Sequence, residues 1–385
     1  MPDTQLTMLT LENPSTQALR KLLPEFEHRS GIRVKLIGVP YDDLLAQLNL
    51  IGPHFTYDMI RIDVAQFEGL SPRLIKNGYD SYSMLNGRVY ALPLDPSVQI
   101  FLYRTDLFHD AKLCRAYYER FHENLVVPTP YEQYLHAAEF FTRSCNPDSP
   151  TEYGTTMTCG SASVAASDFL PFYLSRIDRF GSTPETLRLD CPEMQAAMRQ
   201  YHALEKFSCK QNWWGDSIQK FAEGKTAMTV IYSNYAAELI NSGNSVVVGR
   251  VGAAILPGCK PLLGGGIVGI SRYSQKAEAC KQFFHWYYSA DVASLLVRLG
   301  GTSPIVDAYE DFQNYSIFPW MNTSKKSFGL GQRGVINQTP ERFSIPKYEF
   351  AAGTAVRSVV QDLMTPEDAS RMAQALYDAA DPVCR

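Results

Sequence analysis

Residues 218–235, IQKFAEGKTAMTVIYSNY, constrain the fold more than any other stretch. Ile218, Phe221 and Ala222 recur at i, i+3 and i+4 and share one face of a helical turn. Gly224 stops that helix, because glycine takes the left-handed cap conformation without a steric penalty. Residues 227–231 are a short, continuously apolar run, the pattern of a strand covered on both faces. Tyr232, Ser233, Asn234 and Tyr235 follow at its end. Open α/β sheets bind ligands at the carboxyl ends of their strands, so these side chains are placed to face a ligand.

The amino-terminal part alternates in the same way. Residues 6–11 read as a strand, with Glu12 and Asn13 at its end. Asn13-Pro14-Ser15 opens a helix to about residue 29, with Leu19, Leu22, Leu23 and Phe26 on one face, and Ser30-Gly31 closes it. A second strand covers 32–39. A second helix starts at Pro40 and carries Leu44, Leu45 and Leu48. A third strand covers 57–62 and ends at Asp63. This order predicts parallel βαβ units with right-handed crossovers, an α/β fold. Asn86-Gly87 is a turn signal.

Farther on, a helix runs to about residue 144 and a strand covers 153–158, with Gly160, Ser161 and Ser163 at its end. Helices are expected to about residue 180 and over 192–207. Gly264-Gly265-Gly266 reads as a tight turn beside the ligand. Residues 276–288 form an amphipathic helix, and 351–380 hold two helices, the second opened by the capping box at Thr365.

Composition excludes several classes. A net charge of -4 and the lack of a basic run argue against nucleic-acid binding. No apolar run reaches the roughly 20 residues of a membrane span, and no signal-peptide pattern precedes Leu6. Eight cysteines are scattered without zinc-site spacing, and read as reduced, mostly buried thiols.

Catalytic and cofactor motifs fail in context. Gly264–Gly269 fits G-x-G-x-x-G but leads into a strand-like Ile270-Ser271 instead of a helix. Gly224-Lys225-Thr226 lacks the upstream glycine of a P-loop, since Gln219 stands there. There is no H-E-x-x-H and no G-x-S-x-G. Tyrosine pairs such as Tyr232 with Tyr235 read as core or surface residues before they read as ferric ligands. No metal, cofactor or catalytic residue is expected.

Several segments together resemble one family: FAEGKTAM at 221–228, GIRVKLIGVP at 31–40, YDMIRID at 57–63, NGRVYALPL at 86–94, VPTPYEQYL at 127–135, VGAAILPG at 251–258 and GGTSP at 300–304. In order and spacing they are similar to extracellular solute-binding proteins of family 1, the maltose-binding-protein-like receptors of ABC importers. Arg104-Thr105 stands where that family usually has Asn-Lys. The resemblance implies a two-lobed periplasmic-binding-protein-like fold, with one lobe of 1–104 plus 258–306 and another of 105–257 plus 307–385. It also implies hinge closure on a ligand in an interlobe cleft. The expected function is non-catalytic binding of a small polar solute, a sugar or oligosaccharide, by a monomer that delivers it to the membrane subunits of an ABC transporter outside the cytoplasm. The alternative is a cytoplasmic ligand-sensing domain of a transcription regulator, and a third reading is a carbohydrate-active enzyme.

The candidate ligand contacts follow from these strand ends. Glu12, Asn13 and Asp63 offer groups for hydroxyls, although Asn13 and Asp63 also suit helix caps. Ser161 and Ser163 follow a strand of the second lobe, and Gly265 lies in the glycine run. Tyr232, Asn234 and Tyr235 end the strand described first. Asn234 falls where the resemblance leads one to expect a Trp, so stacking passes to Tyr232 or Tyr235. Trp213 stacks on a ligand or seals the core with Trp214, and Trp320 forms an aromatic wall. Aromatic platforms suit the apolar faces of a sugar, and carboxylates and amides suit its hydroxyl rim.

Overall fold

The computed structural model describes residues 4–64, 84–85, 88–89, 91–178, 187–241, 243–331 and 344–379. The chain divides into two compact units, one of 1–98 plus 263–325 and one of 99–262 plus 326–385.

The first unit opens with the predicted alternation: β1 (Thr4–Leu11), α1 (Pro14–Ser30), β2 (Ile32–Val39), α2 (Tyr41–Asn49) and β3 (Met59–Asp63). β1 lies between β2 and β3 and is parallel to both. The Asn13 side chain caps α1 by accepting from the Thr16 N–H. The short strands β4 (Met84–Leu85) and β5 (Arg88–Val89) pair antiparallel. The turn expected at Asn86-Gly87 lies outside the described residues. β6 (Leu92–Arg104) begins in the first unit and continues into the second.

The second unit carries α3 (Thr105–Phe108), α4 (Ala111–Phe121), α5 (Tyr131–Phe140), β7 (Thr155–Thr158), α6 (Ala162–Leu174) and α7 (Pro192–Glu205). Then come β8 (Ser208–Gln211), α8 (Trp214–Ala222), β9 (Met228–Tyr232), α9 (Glu238–Asn241) and β10 (Val251–Ala254). The later part of β6 pairs antiparallel with β9 and with β10, and β7 is parallel to β8. α8 stops where the pattern predicts, with Gly224 at φ 73°. α6 ends at Leu174, earlier than the expected 180. Its last turn passes through Pro171, and the helix is buried along 164–174.

The chain then supplies the first unit again, with β11 (Leu263–Ile270), α10 (Ala277–Tyr287), α11 (Ala290–Arg298) and α12 (Phe312–Ile317). α13 (Met321–Leu330) follows, and α14 (Ile345–Val360) and α15 (Pro366–Asp378) complete the second unit. β11 runs antiparallel between β3 and β6. The core of the first unit joins α1 and α10 to the sheet, with Phe26 edge-on to Phe283 at 5.6 Å and 5.1 Å from Trp286.

Two expectations are corrected here. Gly264-Gly265-Gly266 is not a tight turn: it lies inside β11, paired with Asp95–Ser97 of β6, with Gly265 at φ 88° and a register shift after Gly266. The cysteines are free thiols among the described residues, but Cys280 alone of those is buried. The rest sit at helix ends, strand edges and loops, where a small side chain does not have to be covered.

In the second unit, α14 crosses α6 at Gly353. A Cβ there would lie 1.7 Å from the Ala162 carbonyl oxygen and 2.6 Å from its carbon. Alanine favours a helix over glycine by about 1 kcal/mol, but overpacking costs about 1–3 kcal/mol and here strikes backbone. Gly353→Ala is therefore expected to lower stability by about 2 kcal/mol, as read by urea denaturation, despite its better helix propensity.

Candidate functional site

In the first unit the sheet register builds a row of polar groups. Gly266 of β11 lies opposite Asp63 of β3 on one side and Asp95 of β6 on the other. Arg61 and Asp63, two residues apart on β3, project from the same face. The Arg61 guanidinium crosses over Gly266: Nε donates to Asp95 Oδ1 at 3.2 Å and Nη2 to Oδ2 at 3.3 Å. A Cβ on Gly266 would sit 2.1 Å from Arg61 Nε and 2.6 Å from Asp95 Oδ1. Glycine in a strand interior weakens the strand, and here it makes room for this side chain.

Asn13 joins the same network. Its Nδ2 donates to Asp95 Oδ2 at 2.6 Å while its Oδ1 caps α1. Arg61, Asp95 and Asn13 are 1–2 % exposed. Asp63 is more open, with 13 % of its side chain exposed and Oδ2 3.9 Å from Arg61 Nη1. The Gly300–Pro304 segment is tied to the start of α1, where the Thr302 N–H donates to Ser15 Oγ at 3.0 Å.

The structure thus gathers Asn13, Asp63 and the glycine run around Arg61 and Asp95, two residues that the sequence reading did not select. Glu12 turns elsewhere and forms an ion pair with Arg20 at 2.9 Å over Gly38 of β2. Trp320 is 6 % exposed and packs against Phe318 at 5.4 Å.

In the second unit the end of β9 turns directly into a 3-10 turn, Ser233–Tyr235. Tyr232, Ser233, Asn234 and Tyr235 are all buried. Two Trp–Tyr pairs form around them. Trp214 lies edge-on to Tyr232 at 5.1 Å, and Trp213 Nε1 donates to the Tyr235 hydroxyl at 2.9 Å. Trp214 is buried core and Trp213 is half-buried. Ser161 caps α6 by accepting from the Val164 N–H, and Ser163 is half-buried in the first turn.

Beneath this end of β7 lies Asp168, also missed in the sequence because it reads as one polar residue in a helix. Its Oδ2 accepts from the Tyr201 hydroxyl at 2.7 Å and from the Thr158 N–H at 3.1 Å. Burial pushes its carboxyl up to about 7, against the opposing pull of those two hydrogen bonds. Among the described residues no cluster of three or more His, Cys, Asp or Glu side chains could hold a metal ion. No helix among them is long and apolar enough to cross a membrane.

Residues 21–320 match a family described as bacterial extracellular solute-binding protein. The fold is that of solved two-lobed solute-binding proteins. An ABC transporter solute-binding protein of Agrobacterium radiobacter K84, in complex with ribitol, superposes with a TM-score of 0.79 at 21% identity, covering 97% of each chain. Maltose-bound MalE3 of T. maritima gives 0.78 at 20% identity, covering 97% of this chain and 99% of its own. A solute-binding protein of Agrobacterium vitis S4 with bound D-mannitol gives 0.75 at 18% identity, covering 97% of each.

Proposed function

The chain belongs to the family of bacterial extracellular solute-binding proteins, and on that premise we propose that it captures a sugar, sugar alcohol or oligosaccharide and delivers it to the membrane subunits of an ABC transporter. The observation that carries this reading is the family match over residues 21–320. The polyol and sugar complexes of the three similar structures support the choice of solute class.

In this reading the protein is a receptor and not an enzyme. It works as a monomer outside the cytoplasm, holds no cofactor and binds no nucleic acid. Asp63 supplies a carboxylate for ligand hydroxyls, with Asn13 after the end of β1, Gly265 within β11 and Trp320 as an aromatic wall. In the second unit, half-buried Trp213 offers an indole face held by Tyr235. Tyr232 and Asn234 line the end of β9, and Ser161 and Ser163 the end of β7. Family membership favours this over the regulator-domain reading.

The test is a thermal-shift screen with ribitol, D-mannitol and maltose, with a polyamine, amino acids and ferric ion as controls. A ligand that binds only the native state raises the melting temperature by mass action, by about 2.7 kcal/mol of added stability at a hundred times Kd. The expected result is a rise with at least one carbohydrate. A rise with a polyamine or ferric ion alone would overturn the solute class.

A further inference from the structure

We infer that Asp168 is the positioning residue of the turn between β7 and α6, and that it couples ligand capture at that turn to the uptake of a proton. The inference rests on the proposed capture of a carbohydrate, with Ser161 and Ser163 among its contacts, and adds its regulation.

The turn is anchored at successive points. At the end of β7 the Thr158 N–H donates to Asp168 Oδ2 at 3.1 Å. The Cys159 N–H donates to the Gln211 carbonyl of β8 at 2.9 Å. Gly160 lies against the Asn212 backbone, where a Cβ would come within 2.4 Å of the carbonyl oxygen. Ser161 then caps α6, and Ala162 meets Gly353 of α14. Of these anchors Asp168 alone can change charge. It stands in the second turn of α6, so it ties the strand that enters the turn to the helix that leaves it.

The surroundings of Asp168 favour a neutral carboxyl. It is 9 % exposed, and its Oδ2 takes both protein hydrogen bonds, from Thr158 and from the Tyr201 hydroxyl of α7. Around it stand Tyr201, Tyr131 and Tyr134 of α5 and the Cys159 thiol, and burial holds each above its ordinary range and so neutral. Lys210 of β8 and Arg357 of α14 act on Cys159, and no cation is paired with Asp168 among the described residues. An ionised Asp168 therefore depends on water at Oδ1. A ligand seated on the turn excludes that water, and the carboxyl must then hold its proton. Burial raises it to about 7 in this structure, so the exchange falls within the physiological range. Well below that value the carboxyl is neutral with or without ligand, and affinity is flat. Above it the protein must first take up a proton, and affinity falls by about tenfold per pH unit.

The experiment uses ribitol, D-mannitol and maltose, which carry no group that titrates in this range. Each is titrated into the full chain by calorimetry at pH 6 and pH 8, in two buffers of different ionisation enthalpy. A probe that binds is expected to do so about 10-fold more weakly at pH 8, with close to one proton taken up per ligand there and close to none at pH 6. Asp168→Asn keeps the acceptor and cannot ionise, so its affinity is the same at both pH values and no proton is taken up. Tyr201→Phe removes a hydrogen bond that favours the ionised form, so the fall in affinity moves to higher pH. A merely structural Asp168 would alter affinity in these variants without altering its pH profile.

Equal affinity of the wild type at pH 6 and pH 8 overturns the proton coupling and leaves the receptor reading standing. Proton uptake that persists in Asp168→Asn overturns the assignment to Asp168. Failure of all three probes to bind at either pH overturns carbohydrate capture and the coupling with it.

Discussion

Replacing Arg61 by methionine is expected to destabilise the protein by about 3–5 kcal/mol, whereas the double change Arg61→Met with Asp95→Leu recovers most of that loss. The reason lies in the asymmetry of buried charge. Arg61 and Asp95 are 1 % and 2 % exposed, and each provides the other's compensation. Removing the guanidinium leaves the Asp95 carboxylate in a water-poor interior, with the Asn13 amide as its side-chain partner among the described residues. Removing both charges eliminates the uncompensated ion, and apolar side chains of similar volume pack in its place. Urea denaturation of the wild type, both single variants and the double variant gives the coupling directly. A loss below about 1 kcal/mol for Arg61→Met would show that the pair is not buried as described.

The second large effect is on pH dependence. The Asp168 carboxyl titrates near 7 in the folded protein, above the usual carboxylate range that applies once the chain unfolds. A group whose folded pKa is raised contributes stability that is fully present below its unfolded pKa and is lost as pH rises through the folded one. Between pH 4 and pH 7 the wild type should therefore lose stability on the order of 3 kcal/mol from this group. Both hydrogen bonds converge on Oδ2, which leaves Oδ1 to carry the proton in the neutral form. Asp168→Asn keeps an acceptor and cannot ionise. Its stability relative to wild type is expected to rise steadily from pH 4 to pH 8 in urea unfolding, and a difference independent of pH would contradict the assignment.

Much of the fold was legible because apolar periodicity and local punctuation agreed. Leu19, Leu22, Leu23 and Phe26 marked the buried face of α1, and Asn13 and Gly31 bounded it. The run before Tyr232 became β9, closed off from α8 by Gly224. The glycine run was misread for a physical reason. Three consecutive glycines normally signal a turn, and nothing local tells that one of them, Gly266, yields space to an arginine from another strand.

The candidate site was legible only in part. Asp63 and Asn13 stood out as strand-end polar residues. Arg61 is one charge in an apolar strand, and its partner Asp95 meets it only through the register of β3, β11 and β6. Asp168 was hidden similarly, because its partners come from α7 and from the end of β7. Long-range pairing of this kind leaves no periodic trace in the chain.

The central claim, non-catalytic capture of a carbohydrate, is tested most directly by calorimetric titration of the best carbohydrate from the thermal-shift screen, followed by recovery of the sugar. The account predicts saturable binding at one site per chain, with the sugar returned chemically unchanged after prolonged incubation. A sugar returned cleaved or modified, or no saturable heat from ribitol, D-mannitol or maltose, would contradict it.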